Sequence, residues 1–175
     1  MSSIRYATTE DIDAIATVHV KSWQAAYQHI FPKSFLDTLS HEQRRRSWEN
    51  AMHQPQEKAG IFVAENEAGE IIGFASCGIN RQQEKYPDFT GELFAIYLLS
   101  SEWGKGIGEK LFYAVVEHLK KNQLYSMIIW ALAENPACSF YEKLGGIVSG
   151  EDEITIDNNQ YKEVAYGWET IVSPA

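Results

Sequence analysis

Three alternate glycines, Gly104, Gly106 and Gly108, form the stretch of this chain whose spacing most directly suggests chemistry. They stand between an apolar run, 93–99, and an amphipathic helical pattern, 109–121. A glycine has no Cβ atom, so its backbone can approach a ligand closely and can adopt positive φ values. Successive N–H groups at a helix N-terminus attract negative charge. The spacing therefore predicts a cradle for the diphosphate of a phosphorylated cofactor, with a glycine-rich turn that binds nothing as the alternative.

Two other phosphate-binding motifs fit this stretch less well. A P-loop needs Gly-x-x-x-x-Gly-Lys-Ser/Thr, which the chain lacks. A dinucleotide-binding fingerprint needs Gly-x-Gly-x-x-Gly near the start of a βαβ unit, whereas here the third glycine comes one residue early and lies past the middle of the chain. The spacing of His, Cys, Asp and Glu suggests no metal site, and no nucleophile elbow indicates Ser-His-Asp catalysis.

The elements that position the glycines follow from hydrophobic periodicity and turn signals. The patterns predict strands over 3–7, 60–65, 70–79, 92–99, 126–132, 146–156 and 160–170, and helices over 12–30, 41–52, 109–121 and 136–144. Capping signals at Thr8 and Ser40 open the first two helices, and a polar loop covers 81–91. This order predicts an α/β (α+β) fold in a single domain over 1–175. Its mixed, mostly antiparallel sheet has about six to seven strands flanked by four helices.

Composition limits the classes of function. The net charge of −9 argues against nucleic-acid binding, which needs a basic surface, and it permits a cationic acceptor such as an amine. The short basic run 44–46 is expected on a solvated helix face. No apolar run is long enough to cross a membrane, and no signal-peptide pattern opens the chain. With only two cysteines as well, we expect a cytoplasmic protein without a disulfide framework.

A second motif gives these elements a family resemblance. The segment 96–108 resembles the coenzyme A-binding motif of the GNAT superfamily of acetyl-coenzyme A-dependent N-acetyltransferases. About 30 residues later, 134–146 resembles the Asn-Pro…Phe-Tyr-Glu-Lys-Leu-Gly motif of the same family. The order of elements also fits the family fold along the whole chain. The segment 18–27 is similar to a subset of uncharacterised bacterial members and indicates no substrate.

The resemblance implies transfer of an acetyl group from acetyl-coenzyme A to a primary amine of a small molecule or peptide, in a ternary complex and without a metal. It also implies which residues bind the cofactor: Tyr97, Leu98, Leu99, Trp103, Gly104, Lys105, Gly106, Ile107, Gly108, Asn135 and Phe140. The family has Gln or Arg where this chain has Trp103, so we expect backbone amides to carry most of the phosphate binding. Lys105 adds a positive charge or is a solvated loop lysine. Asn135 is a helix cap, a cofactor contact or both.

Two residues are candidates for the chemistry that the resemblance implies. An alkylammonium is almost wholly protonated at pH 7, and removing its proton costs about 4–5 kcal/mol. Glu92, at the start of the cofactor-binding strand, is the candidate base, with a solvated strand-end glutamate as the alternative. If the strand alternates regularly, Glu92 shares a face with Phe94, Ile96 and Leu98. Tyr141 is the candidate general acid toward the thiolate that leaves, and amides near 97–99 are the candidate donors to the oxyanion.

Several alternatives stay open. Trp23 and Tyr27 are candidates for the acceptor pocket, as is Trp48, although core packing is the expected role of each taken singly. His19 is expected to be a structural histidine, and Cys138 to be packed rather than a covalent nucleophile. A coenzyme A-binding sensor without catalysis, or a transferase for a longer acyl group, would carry the same motifs. An exposed edge strand would make a homodimer plausible.

Overall fold

A seven-stranded sheet with the strand order β1-β2-β3-β4-β5-β7-β6 is the centre of the computed structural model, which describes residues 1–174. The strands are β1 (Ser3–Tyr6), β2 (Gly60–Glu65), β3 (Ile71–Ile79), β4 (Gly91–Leu98), β5 (Met127–Leu132), β6 (Ile147–Ile156) and β7 (Asn159–Trp168). All neighbouring strands are antiparallel except β4 and β5, which are parallel. The predicted fold class, a mixed and mostly antiparallel sheet with helices on its faces, is confirmed.

Four helices fall where periodicity predicts them, and one further short helix does not. The helices are α1 (Ile12–Ala26), α2 (Lys33–Leu36), α3 (His41–His53), α4 (Ile107–Lys121) and α5 (Ala137–Lys143). The prediction that the first helix runs to residue 30 is wrong, because a turn follows Ala26 in which the Ile30 amide donates to the Tyr27 carbonyl. Pro32 then opens α2, which is only one turn long and has too few residues for a periodic signal.

Local sequence signals fix several element ends as expected. Thr8 and Asp11 form the predicted capping box before α1. The Ser40 hydroxyl accepts a hydrogen bond of 3.1 Å from the Gln43 amide at the start of α3. Asp157 and Asn158 both have positive φ, 50° and 64°, and form the two-residue turn between β6 and β7. That turn geometry matches the right-handed twist of the strands that it joins.

Helices cover both faces of the sheet. On one face, α4 buries its apolar side, Leu111, Phe112, Val115, Val116 and Leu119, against the strands. On the other face, Ile15 and Val18 of α1 pack against Val63 of β2 and Phe74 of β3. Helix α3 has no fully buried residue and packs on the outside of α1. Neither helical layer fills the space that opens between β4 and β5, where these two strands pair over only a short stretch.

The parallel pair β4–β5 is the weakest seam of the sheet. Its registered pairs are only Gly91 with Met127 and Glu92 with Ile128. A bulge also interrupts β4 against β3, since Cys77 pairs with Leu93 and Ser76 with Ala95, so that Phe94 is the extra residue. Beyond this bulge β4 stays paired with β3 but diverges from β5. The edge of β4 that faces β5 therefore has no strand partner over 93–98.

Candidate active site

A cavity of about 520 Å³ occupies the gap between the diverging strands. This volume is within the range of small-molecule sites. Five regions contribute its walls: 94–98 of β4, 129–131 of β5, 102–104 and 106–109 around the start of α4, 135–137, 140, 141 and 143 around α5, and Ser22, Ala26 and Tyr27 from α1 and the turn after it. We call this cavity the cleft. It brings together most of the residues that the sequence nominates.

The glycine turn closes one end of the cleft. Gly104 and Gly106 have φ values of +77° and +81°, the left-handed conformation that the sequence predicts for this turn. A Cβ atom at either position would meet nothing within 4 Å, so open space lies over both glycines. Among the described residues, the N–H groups of 104–106 have no backbone acceptor, and α4 begins at Ile107. The turn therefore presents free amides and a helix N-terminus to the cleft, which suits an anionic group.

The third glycine has a different role. Gly108 lies inside α4, and a Cβ atom there would come within 3.4 Å of the Phe140 ring. Phe140 and Gly108 thus bring α5 close to the first turn of α4. Both residues line the cleft, as does Ile107, whose side chain is also buried in the core.

The side chains of Trp103 and Lys105 already interact with other groups of the chain, through a hydrogen bond and an ion pair respectively. The Trp103 indole Nε1 donates to the Leu98 carbonyl over 3.2 Å, while 48% of the residue is exposed. The Lys105 ammonium lies 3.1 Å from Glu102 and is absent from the lining of the cleft. The donors left at this end of the cleft are therefore mainly backbone amides, as expected from the loss of Gln or Arg at position 103.

The free edge of β4 offers fewer amides than the sequence suggests. The Leu99 amide donates to the Ile72 carbonyl over 2.9 Å, so it is unavailable to a ligand. Because successive amides of a strand point to opposite edges, the Tyr97 amide also faces β3 and the Leu98 amide faces the gap. Of the candidate donors 97–99, only Leu98 can donate into the cleft. The bulged residue Phe94 adds backbone groups that the ladder with β3 leaves unpaired.

Asn135 is held on both sides by protein groups. Its Oδ1 accepts from the Ala137 amide over 2.9 Å, and its Nδ2 donates to the Tyr27 hydroxyl over 3.2 Å. The residue is 9% exposed, and its bond to the Ala137 amide makes it a cap two positions before the start of α5. The Tyr27 hydroxyl in turn lies 3.2 Å from the Tyr97 hydroxyl. A hydrogen-bonded chain thus joins α5, α1 and β4 along the wall of the cleft.

Tyr141 is a buried phenol on the wall of the cleft. The residue is 4% exposed and lines the cleft, and its ring packs between Phe140 and Tyr166 at centroid distances of 5.5 and 5.9 Å. Its hydroxyl makes no hydrogen bond with any residue that the structure describes. Burial raises the pKa of Tyr141, so this phenol keeps its proton at neutral pH. It is a neutral donor without a protein acceptor.

Glu92 is neither solvated nor on the cleft wall. It is 2% exposed, and its carboxylate accepts three hydrogen bonds from Arg81: one from the amide at 3.0 Å and two from the guanidinium at 3.2 and 2.6 Å. The expected strand alternation is also wrong, because the bulge at Phe94 intervenes. Beyond it, Ile96 and Leu98 pack toward α4, whereas Glu92 lies opposite Leu93, which also packs toward α4.

The three candidates for the acceptor pocket differ. Tyr27 lines the cleft, whereas Trp23 and Trp48 do not. Trp23 packs against Tyr27 at a centroid distance of 4.8 Å. Sequence analysis missed Phe94 and Trp130, which do line the cleft. Both stand in nearly continuous apolar runs, where periodicity gives no sign of a bulge or of which face borders a cavity.

Other groups contribute no chemistry here. Burial raises the pKa of the Cys138 thiol, which donates to the Leu132 carbonyl over 3.3 Å. Within residues 1–174, no group of three or more His, Cys, Asp or Glu side chains could hold a metal ion. In the same part of the chain, no helix has both the length and the apolar character that a membrane span requires.

Comparison with known proteins places this geometry in context. The model of the acetyltransferase (GNAT) family matches residues 20–146, more than half of the chain. The chain is 37% identical over 169 residues to the uncharacterised N-acetyltransferase YuaI of Bacillus subtilis (strain 168), covering 96% of this chain and 93% of that protein.

Solved structures share the fold. The PaiA N-acetyltransferase from Thermoplasma acidophilum, in complex with coenzyme A, superposes with a TM-score of 0.73 at 22% identity, covering 93% of this chain and 98% of that one. YncA from Salmonella typhimurium, with its cofactor acetyl-CoA, gives a TM-score of 0.71 at 18% identity, covering 100% and 97%.

Proposed function

This chain belongs to the acetyltransferase (GNAT) family of acetyl-coenzyme A-dependent N-acetyltransferases, and we propose that it moves the acetyl group directly to a primary amine of a small molecule or peptide. The observation that carries the proposal is the cleft between β4 and β5. Its walls include free backbone amides before α4, the unpaired edge of β4 and a phenol, Tyr141, whose hydroxyl has no hydrogen-bond partner in the described chain. Cofactor and acceptor then occupy the cleft together, so no covalent acyl-enzyme is needed.

The residues of the cleft fit the parts of the cofactor. Acetyl-coenzyme A supplies an activated acetyl thioester, and its diphosphate suits the amides of 104–108 at the start of α4. Its extended arm, which carries amide groups, suits the unpaired edge of β4, as an added strand would. Phe140 and Ile107 give this end an apolar wall. Trp103 contributes surface rather than charge.

Tyr141 is the proposed general acid. A thiolate with a pKa near 8.5 leaves the reaction, and a hydrogen bond from the phenol would stabilise its negative charge. Because burial raises the pKa of Tyr141 above that of an ordinary phenol, full proton transfer to the thiolate is uphill. The contribution of Tyr141 is therefore chiefly a hydrogen bond that strengthens as charge develops on sulfur.

Glu92 is the proposed final acceptor of the ammonium proton. It lies outside the lining of the cleft, so the proton must reach it through water. Its carboxylate accepts three hydrogen bonds from Arg81, which leaves room for one more donor on its two oxygens. The Arg81 guanidinium also forms an ion pair with this carboxylate. The same pair can equally serve to hold the loop 81–90 against β4.

The test is acetyl transfer from acetyl-coenzyme A to a panel of amines and peptides, followed by thiol release and product mass. We expect one acetyl group on the amine of the accepted class and thiol release in equal amount. Slow hydrolysis without transfer to any amine, in a protein that binds coenzyme A by calorimetry, would contradict the proposed transfer. Absence of coenzyme A binding would contradict the assignment of the cleft itself.

A further inference from the structure

A set of hydrogen-bond donors without acceptors adjoins the cleft on the α1 side of the sheet. It consists of His19, Trp23, Arg44 and the hydrogen-bonded pair Tyr27–Tyr97, which together we call the donor cluster. The His19 ring stacks on Tyr97 at a centroid distance of 5.6 Å, and Trp23 lies 6.4 Å from Tyr97. The Arg44 guanidinium lies 5.1 Å from the centre of the Trp23 ring. Because Tyr97 also lines the cleft, the cluster and the cleft share a wall.

The tautomer of His19 follows from one contact. The Trp48 indole Nε1, which can only donate, lies 3.1 Å from His19 Nδ1. Nδ1 is therefore the unprotonated nitrogen. Burial and the positive charge of Arg44 lower the pKa of His19 to about 3, so the ring is neutral and carries its proton on Nε2. This Nε2–H donates to no residue that the structure describes.

The tyrosine pair adds a second unclaimed proton. Asn135 Oδ1 accepts from a backbone amide, which fixes its amide orientation and makes Nδ2 the donor to Tyr27. Tyr27 and Tyr97 share one hydrogen bond between their hydroxyls. Whichever hydroxyl donates in that bond, the proton of the other has no acceptor among residues 1–174. Tyr27 and Tyr97 both line the cleft, so that proton is available to a ligand.

Arg44 differs from its two neighbours on α3. Arg45 pairs with Glu42 and Glu49, and Arg46 pairs with Glu42. Arg44 is half-buried, and its guanidinium makes no ion pair or hydrogen bond with any described residue. The expectation that the whole run 44–46 is a solvated helix face therefore fails at Arg44, which turns inward onto Trp23. A half-buried guanidinium without a counter-ion is costly to keep.

The fourth donor is fully buried. Trp23 Nε1 has no hydrogen-bond partner in the described part of the chain. A buried donor without an acceptor costs about 1–3 kcal/mol, and such groups are rare in folded proteins. Four neighbouring donors without acceptors, one of them a cation, create a local positive potential on a chain whose net charge is −9.

We propose that the donor cluster binds a carboxylate of the acceptor, so that the substrate of this enzyme is an amine that also carries a carboxylate. The chemistry selects this class in two ways. Every free group in the cluster donates, so the ligand must accept. The cluster has a single cation, which balances the one negative charge of a carboxylate but not the two of a phosphate monoester. The proposal rests on the proposed function, since it adds a second binding contact for the acceptor besides the amine that is acetylated.

Matched acceptors test the proposal. Each amino acid of a panel is compared with its own carboxamide, whose amine loses its proton more readily, so a preference for the acid cannot come from amine basicity. We expect kcat/KM to be at least about tenfold higher for the acids. Arg44→Gln should lower kcat/KM for the acids on the order of 10- to 100-fold, mainly through KM, and leave the carboxamides within about twofold. Arg46→Gln, on the solvent side of the same helix, is the control.

A second readout does not depend on turnover. Trp23 and Trp48 lie in or beside the cluster, so their fluorescence should change when an amino acid, but not its carboxamide, is added to the protein saturated with coenzyme A. Arg44→Gln should abolish that change. Equal use of acids and carboxamides, or an equal effect of Arg44→Gln on both, would overturn the proposal while leaving amine acetylation intact. If no amine is acetylated at all, the proposed function fails, and the fluorescence titration alone decides whether the cluster binds carboxylates.

Discussion

Tyr141 is a buried residue whose hydroxyl group can take part directly in the proposed reaction. A phenol whose hydroxyl has no partner in the described chain loses hydrogen bonds with water on folding, and a ligand on the cleft side can restore one. We expect Tyr141→Phe to lower kcat on the order of 100-fold or more, because it removes a donor that is needed mainly in the transition state. The dissociation constant for coenzyme A should change by less than about threefold, measured by calorimetry.

The matched control is Tyr166→Phe. Tyr166 is equally buried beside Tyr141, but its hydroxyl donates to Glu142 over 2.9 Å. Its loss should cost about 1 kcal/mol of stability and leave kcat nearly unchanged. An unchanged kcat in Tyr141→Phe, or an equal loss in both variants, would remove the catalytic role of Tyr141.

The catalytic and structural roles of the Glu92–Arg81 pair can be distinguished by two substitutions that break the same ion pair. Glu92→Gln removes the carboxylate, whereas Arg81→Met removes the guanidinium and keeps the carboxylate. If Glu92 takes the proton, kcat at pH 7 should fall on the order of 100-fold in Glu92→Gln and only a few-fold in Arg81→Met. Glu92→Gln should lose about 1–2 kcal/mol of stability in urea unfolding, and Arg81→Met about 3 kcal/mol, because it leaves a buried carboxylate without its ion-pair partner. Equal kcat losses would assign the pair to holding the loop in place.

At the scale of elements, the conformation of the turn before α4 predicts how a substitution there changes the affinity for coenzyme A. Gly106→Ala places a Cβ atom on a residue with φ +81°, into open space over the cradle. The strained backbone should cost about 1 kcal/mol of stability, and the affinity for coenzyme A should fall about tenfold or more. Calorimetry and thermal unfolding measure the two effects separately.

Gly69→Ala is the control for backbone strain. Gly69 has φ +80° in the turn between β2 and β3, and its nearest neighbour to an added Cβ is Glu65 at 3.8 Å. The stability loss should match that of Gly106→Ala, while coenzyme A affinity should stay the same. A parallel loss of affinity in both variants would mean that the amides of the glycine turn do not hold the cofactor.

The elements that sequence analysis located are those with local causes. Thr8 with Asp11, Ser40 with Gln43, and the turn at Asn158 act within a few residues, so their signals are readable in the chain. The bulge at Phe94 depends on the register between β3 and β4, which no local pattern specifies. The inward turn of Arg44 depends likewise on where α3 lies against α1. The general position of the site was therefore predictable, and the groups that face its acceptor were not.

For the whole molecule, two charge effects oppose each other as pH falls. The net charge of −9 is neutralised toward the isoelectric point near 5.0, which relieves self-repulsion and favours the folded state. His19 acts in the other direction, because its pKa is about 3 in the folded chain and near 6.5 when unfolded. Below pH 6.5 the unfolded chain binds this proton and the folded chain does not, so stability falls by about 1.4 kcal/mol per pH unit until pH approaches 3.

The buried histidine should dominate, since surface repulsion is spread over the molecule and screened by salt. We expect the free energy of unfolding in urea to fall by about 2 kcal/mol between pH 6.5 and 5. His19→Gln, which still offers Trp48 an acceptor, should remove most of that slope, whereas His53→Gln at the exposed end of α3 should keep it. A slope unchanged in His19→Gln would assign the acid sensitivity elsewhere, such as Asp11, whose pKa is lowered by its hydrogen bond with Arg5.

The seam between β4 and β5 joins two halves of the sheet through only two registered pairs. Strands β1 to β4 form one half and β5, β7 and β6 the other, with the cleft between them. A ligand that lies in the cleft and carries amide groups can form hydrogen bonds along the unpaired edge of β4, where the chain itself supplies no partner. We therefore expect the two halves to move less against each other when such a ligand is bound.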